Sequence, residues 1–82
     1  LNLSSVNLKN LDDIDLTYCP NLAEIDFSFN EIEIILQHQT ITINNATSLR
    51  LNNNKIYFID IYSIQELNKL YELNLENNFI KK

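Results

Sequence analysis

The chain has 82 residues, which suits one small domain, and it carries a net charge of −5 with a pI near 4.5. This acidic balance argues against direct nucleic-acid binding, because no basic field is available to release counterions from a phosphate backbone. The sequence has no run of about 18 apolar residues for a membrane span, and its single cysteine, Cys19, excludes an internal disulfide and favours a reducing compartment.

An internal repeat of 24 residues runs through the chain from its first residue. Apolar-x-apolar triplets recur at this spacing: Leu1-Asn2-Leu3, Ile25-Asp26-Phe27, Leu49-Arg50-Leu51 and Leu73-Asn74-Leu75. Alternation with a period of two points both apolar side chains inward and the middle side chain outward. We therefore predict one short strand in each repeat, with successive strands stacked as a parallel sheet.

The segments between these triplets differ from one another. In chain order, Leu11 to Leu16 is predicted to form extended or turn structure on the convex side, opposite the strands. Thr40 to Ile43 alternates polar and apolar residues and is predicted to be a short extended piece. Ile64 to Tyr71 has apolar residues at helical spacing, so it is predicted to be a helix.

The last repeat reads Leu67-x-x-Leu70-x-x-Leu73-x-Leu75-x-x-Asn78-x-Ile80, which resembles the leucine-rich repeat consensus. The resemblance covers essentially the whole chain. It implies an α/β solenoid with a parallel sheet on its concave face and irregular, short-strand or helical segments on its convex face. Residues 1–82 would then be a single domain of three to four repeats. Since the pattern begins and ends within a repeat, we expect a fragment of a longer array, with flanking repeats or a capping chain.

An asparagine follows each strand except the first, where Val6 takes its place. The resemblance to leucine-rich repeat proteins implies that this side chain hydrogen-bonds the backbone of the adjacent repeat. Successive asparagines would then form a ladder along the stack. The ladder residues are Asn30, Asn54 and Asn78.

Residues capable of catalysis or metal binding are sparse. Asp12, Asp13 and Asp15 form the densest carboxylate cluster, but they lack EF-hand spacing, so a solvated turn is the favoured interpretation. His38 is the only histidine. Cys19 occupies the same position of the 24-residue repeat as Ile43 and Leu67, and we call such a set of equivalent residues a column. The apolar character of this column favours a place in the core for Cys19. We therefore predict no enzyme activity, no cofactor and no metal site.

Two tripeptides match the N-glycosylation acceptor pattern, Asn2-Leu3-Ser4 and Asn45-Ala46-Thr47. Matches of this kind are expected by chance in an asparagine-rich chain. They gain weight only if the protein is secreted.

The outward side chains of the strands are the predicted partner-binding surface, since they would pave the concave face. This set consists of Glu24, Asp26, Ser28, Phe29, Ser48, Arg50, Asn52, Glu72, Asn74 and Glu76. The surface is acidic except for Arg50, and Phe29 stands in a column of small or polar residues. Aromatic and arginine side chains often dominate interface energetics. The alternatives are that Phe29 packs against the neighbouring repeat and that Arg50 neutralises nearby acidic groups.

Within the family, the spacing Asn-x-Ile-x-x-Ile at residues 30–35 and 54–59 resembles the intracellular subclass. That subclass includes a phosphatase-regulatory subunit and the A-prime subunit of a spliceosomal particle. The principal functional hypothesis is accordingly an intracellular (cytoplasmic or nuclear) scaffold that binds another protein. Two alternatives remain: a ribonucleoprotein subunit that docks an RNA-binding protein, and an extracellular receptor or adhesin segment.

Overall fold

The computed structural model describes residues 1–19 and 21–81 and shows an α/β fold whose strands pair in parallel. The elements are β1 (Glu24–Asp26), β2 (Ile34–Ile35), α1 (Gln37–Thr40), β3 (Ser48–Arg50), β4 (Phe58–Ile59), α2 (Ile61–Glu66) and β5 (Glu72–Asn74). Two short 3-10 helices, Leu11–Asp13 and Ile41–Ile43, complete the secondary structure of this part of the chain.

The larger sheet follows the 24-residue repeat directly. Its strand order is β1-β3-β5, and Glu24 pairs with Ser48, which in turn pairs with Glu72. An isolated parallel bridge between Asn2 and Asp26 extends the same register into the first repeat. The predicted parallel sheet is therefore confirmed, although each strand begins one residue before the apolar triplet.

A second sheet pairs β2 with β4, again at a step of 24 residues. Both sheets contribute to one hydrophobic core, which contains Ile25 and Leu49 from the larger sheet and Ile35 from the smaller. Strand β5 lies at the edge of the larger sheet. Among the described residues no strand pairs with the outer edge of β5, and Leu73 is 38% exposed whereas Leu49, at the equivalent position of β3, is 1% exposed.

The segment around Thr40 is helical, so the prediction of an extended piece there is wrong. Helix α1 ends at Thr40, and the 3-10 turn Ile41–Ile43 follows it. The hydroxyls of Thr40 and Thr42 donate to the carbonyls of Gln37 and Gln39, three residues earlier, at 3.1 Å each. These local hydrogen bonds satisfy the β-branched polar residues within a helical turn.

The predicted helix at residues 64–71 is present but begins and ends earlier, as α2. Asp60 caps its N-terminus, because the Asp60 carboxylate accepts a hydrogen bond from the Tyr62 amide at 2.9 Å. In the first repeat, Leu11–Asp13 forms a 3-10 turn that is capped in the same way by Asn10. Turn structure was one of the two options predicted there.

The asparagine column connects neighbouring repeats through backbone groups. The Asn54 amide nitrogen donates to the carbonyls of Phe27 and Leu51, and its oxygen accepts from the Ile32 amide. Asn30 bonds Leu3, Phe27, Val6 and Leu8 in the same manner, and Asn78 bonds Leu51, Leu75 and Ile56. Each of these side chains thus satisfies polar backbone atoms of two repeats.

Cys19 is exposed, so the prediction of a core position for it is wrong. Its column mates Ile43 and Leu67 are buried. The backbone around Cys19 forms a turn in which the Cys19 amide donates to the Leu16 carbonyl at 2.9 Å. Alignment with Ile43 and Leu67 does not predict burial of Cys19, because residues 1–19 and 21–23 contain no α-helix that would hold the side chain inward.

Candidate functional site

The outer side of the larger sheet carries a row of polar side chains that do not belong to the core. We call this surface the strand face, defined by Glu24, Asp26, Arg50, Asn52, Glu72, Asn74 and Glu76. Glu24, Arg50 and Glu76 are exposed, and the other four are half-buried. Four carboxylates and one guanidinium make the strand face acidic.

Ser28 and Ser48, which were predicted to be part of the same binding surface, are buried at 5% and 4% exposure. Each hydroxyl donates to a carboxylate of the strand face instead. The Ser28 hydroxyl donates to Asp26 at 2.6 Å, and the Ser48 hydroxyl donates to Glu72 on the neighbouring strand. Both serines therefore orient acidic groups, because each buried hydroxyl bonds a carboxylate of the strand face.

Arg50 lies on the central strand between acidic residues of its neighbours. Its Nε atom is 3.6 Å from a carboxylate oxygen of Glu72, and its Cα is in register with Asp26 on the other side. A depression of about 210 Å³ lies beside it, lined by residues that include Glu24, Asp26 and Ser48. This geometry makes Arg50 a countercharge within an acidic surface.

The environment of Asp26 on the strand face lowers the pKa of its carboxyl group. Burial raises the pKa of Asp26, but hydrogen bonds from the Ser28 hydroxyl and amide, together with the Arg50 charge, outweigh it and hold the pKa below the usual 3.8. Asp26 therefore remains ionised at neutral pH. It presents a fixed negative charge with one oxygen engaged by Ser28.

Phe29 follows Asp26 by three residues and is 58% exposed. Its backbone has a φ of 58°, in the left-handed region. Its column mates Ser5, Asn53 and Asn77 have φ values of 57°, 61° and 59°. The left-handed turn is thus a property of the column, while the aromatic side chain is particular to Phe29.

The column is stacked in the same way as the strands. The Ser5 amide donates to the Ser28 carbonyl at 3.1 Å, and the Phe29 amide donates to the Asn52 carbonyl at 3.0 Å. Asn53 continues the row by donating to the Glu76 carbonyl at 2.9 Å. Phe29 therefore lies at the end of the strand face, between the turns of two neighbouring repeats. It is not among the side chains packed against the core in the described part of the chain.

The left-handed column was missed in the sequence analysis, although a signal for it was present. Asparagine occupies the column at residues 53 and 77, and asparagine tolerates positive φ better than most residues. The position immediately before the ladder asparagine could therefore have been recognised as a turn of this kind.

The acidic cluster of the first repeat lies apart from the strand face. The Asp15 carboxylate accepts a hydrogen bond from the Thr17 amide, and hydrogen bonds from Thr17 lower the pKa of Asp15. The Oδ1 atom of Asp12 is 2.9 Å from the Nε2 atom of His38, and both side chains are exposed. Within residues 1–19 and 21–81, no three histidine, cysteine or acidic residues are grouped so as to hold a metal ion.

A search of the described residues for a helix long and apolar enough to cross a membrane finds none.

Comparison with known proteins gives two relatives that align with almost the whole chain. Mouse Toll-like receptor 7 is 33% identical over 92% of this chain, and human oligodendrocyte-myelin glycoprotein is 39% identical over 95%. The chain spans 9% and 17% of the lengths of these relatives. No protein-family model and no solved structure matches the chain.

Both relatives are leucine-rich repeat proteins, so the comparison supports the leucine-rich repeat resemblance and a general role in protein interaction. It does not support the A-prime subclass or a spliceosomal role. A receptor and a glycoprotein are also consistent with the prediction that the chain is not an enzyme.

The predicted intracellular location is wrong on this comparison, because the relatives point to membrane or extracellular proteins. The prediction relied on the lone cysteine and on the Asn-x-Ile-x-x-Ile spacing. The spacing consists of consensus positions that serve the core and the ladder, so it reports on the fold rather than on the compartment.

Proposed function

We propose that this chain is a segment of an extracellular, receptor-type leucine-rich repeat solenoid that binds a protein partner through the strand face. The observation that carries the proposal is the similarity to a Toll-like receptor and to a myelin glycoprotein over nearly the whole chain. The strand face supplies the surface, since its side chains lie outside the hydrophobic core.

The arrangement of the strand face supports binding rather than a purely structural role. Parallel pairing at a step of 24 residues places side chains of three strands side by side on one surface. The hydrogen bonds of Ser28 and Ser48 hold two of its carboxylates in fixed positions before any partner arrives. Side chains that are already ordered lose less conformational entropy on binding.

Location is tested first by surface biotinylation of intact cells that express the natural protein, followed by detection of the labelled fraction. Labelling that is abolished by brief external protease treatment supports the extracellular proposal. Labelling that appears only after the cells are permeabilised contradicts it. A cytosolic marker from the same cells controls for leakage.

The binding surface is tested by placing a glycan on it. Asn74-Leu75-Glu76 lies on the strand face, and Glu76→Thr creates a glycosylation acceptor there. When the protein is secreted from mammalian cells, the glycan at Asn74 should block binding to a panel of purified extracellular domains. Glu76→Val is the matched control, because it also removes the carboxylate but creates no acceptor site, so the difference in binding between the two variants reports the effect of the glycan. Unchanged binding by a fully glycosylated variant would contradict the proposal.

A further inference from the structure

The left-handed backbone conformation of Phe29 is energetically unfavourable for a bulky residue. A bulky residue at positive φ is a backbone outlier, and the left-handed region costs an L-residue of this kind a measurable part of the folding free energy. Its column mates at residues 5, 53 and 77 are serine or asparagine. The side chain gains little from folding in return, since it is 58% exposed and lies outside the core. Strain of this kind points to a use other than stability.

The chemistry around Phe29 is acidic. Asp26, the last residue of β1, precedes it by three residues, and Glu76 lies one residue before Asn77, which belongs to the same column of turns. The only guanidinium of the strand face, on Arg50, is already paired with Glu72. Asp26 is close enough to Arg50 to be influenced by its charge, and the carboxylates of Glu24 and Glu76 take part in none of the ion pairs of the described residues.

An exposed aromatic ring at the end of an acidic surface suits one kind of side chain better than others. A guanidinium can stack on the face of a phenyl ring while its N–H groups bond a carboxylate. An ammonium group also carries positive charge, but it is a strongly hydrated point charge without the planar fork.

We propose that Phe29, together with the acidic groups of the strand face, binds an arginine-bearing segment of the protein partner. This inference rests on the proposed function, because it names the chemistry of the partner that the strand face would bind. Phe29 is the anchor, and the carboxylates of Asp26 and Glu76, which lie toward the same end of the strands, bind the cationic group.

The test uses a random 12-residue peptide library displayed on phage and selected against the immobilised wild-type protein. Selected peptides are then synthesised and their affinities measured. We expect enrichment of arginine over lysine, and affinity that falls with added salt. Phe29→Asn, which restores the residue type of the column, should weaken binding by roughly 30-fold, the effect of losing a hot-spot side chain.

Phe58→Asn is the matched control, because Phe58 is 51% exposed but lies on β4, in the other sheet. It should change the affinity by less than about 3-fold, as expected for a residue outside the contact. The two variants should also differ in thermal stability. Phe29→Asn should raise the melting temperature by roughly 4 °C by relieving the left-handed strain, whereas Phe58→Asn should not raise it.

The outcomes separate the inference from the proposed function. Suppose that the selected peptides fail to bind the Asn74-glycosylated Glu76→Thr variant, but lack arginine or bind Phe29→Asn with the wild-type affinity. That result would overturn the inference and leave the strand face as the binding surface. Peptides that bind the glycosylated variant normally, or a selection that yields no peptides, would overturn both. A fall in melting temperature for Phe29→Asn with unchanged affinity would show that Phe29 has a structural role.

Discussion

Asn54 bonds backbone groups of two repeats and is buried together with the groups that it satisfies. Removing a side chain of this kind leaves buried amide and carbonyl groups without this partner, at a cost of about 1–3 kcal/mol. At the scale of single residues, the contacts that stabilise the chain are therefore polar as well as hydrophobic. Their positions follow the 24-residue spacing.

Asn54→Ala should lower the free energy of unfolding by roughly 1–3 kcal/mol in chemical denaturation. Asn52→Ala is the control, because Asn52 is half-buried and its amide donates only to the neighbouring Asn53 side chain among the bonds described. That variant should stay within about 0.5 kcal/mol of the wild type. Equal stabilities for the two variants would contradict the account of the asparagine column.

Ser28→Ala should raise the pKa of Asp26 toward 3.8, because it removes one of the hydrogen bonds that favour the carboxylate. A folded-state pKa below the unfolded value contributes stability above the unfolded value and loses it as the pH falls through the folded value. The stability difference between wild type and Ser28→Ala should therefore be present at neutral pH and shrink below 3.8.

Carboxyl-carbon NMR titration of Asp26 measures this pKa directly. Ser48→Ala is the control, since the Ser48 hydroxyl bonds Glu72 rather than Asp26. An Asp26 pKa that is the same in wild type and Ser28→Ala would show that the hydroxyl does not hold the carboxylate in its ionised form.

At the scale of elements, the short helices differ from the strands in how far the sequence specifies them. The strands are set by a column of apolar pairs, which fixes both their position and their register. The helices are set by local caps and by single buried polar residues. Gln39, for example, is buried, accepts from the Leu36 amide and donates to Asn10 of the first repeat. Apolar periodicity does not report on such contacts, which is why residues 40–43 were predicted to be extended.

Asp60→Ala should lower the free energy of unfolding by about 1 kcal/mol, because it removes the cap that fixes the start of α2. Asp60→Asn keeps an acceptor oxygen at the same position and should restore most of this stability. Chemical denaturation of the three proteins measures the difference. If the alanine and asparagine variants are equally unstable, the effect arises from the lost charge rather than from the cap.

At the scale of the whole molecule, the 24-residue repeat predicted the parallel sheet and the location of the strand face. It did not predict which side chains of that surface are exposed. The alternation of apolar and polar residues predicts the direction in which a side chain points, but not how deeply it is buried. Ser28 and Ser48 were therefore predicted to be exposed. Each is buried and bonds a carboxylate of the strand face. Cys19 was misplaced because the repeats share strands while their connecting segments differ. The left-handed turn at Phe29 could have been inferred from Asn53 and Asn77 in the same column, whereas the exposure of its ring required coordinates.

The central claim is that the strand face contacts the protein partner, and hydroxyl-radical footprinting tests it most directly. Phe29 and Tyr57 are matched aromatic probes, at 58% and 59% exposure, and only Phe29 lies at the end of the strand face. When the partner is bound, oxidation of Phe29 measured by mass spectrometry should fall sharply while that of Tyr57 stays unchanged. Protection of Tyr57 with no change at Phe29 would contradict the account, because it would place the partner next to β4 of the second sheet rather than on the strand face.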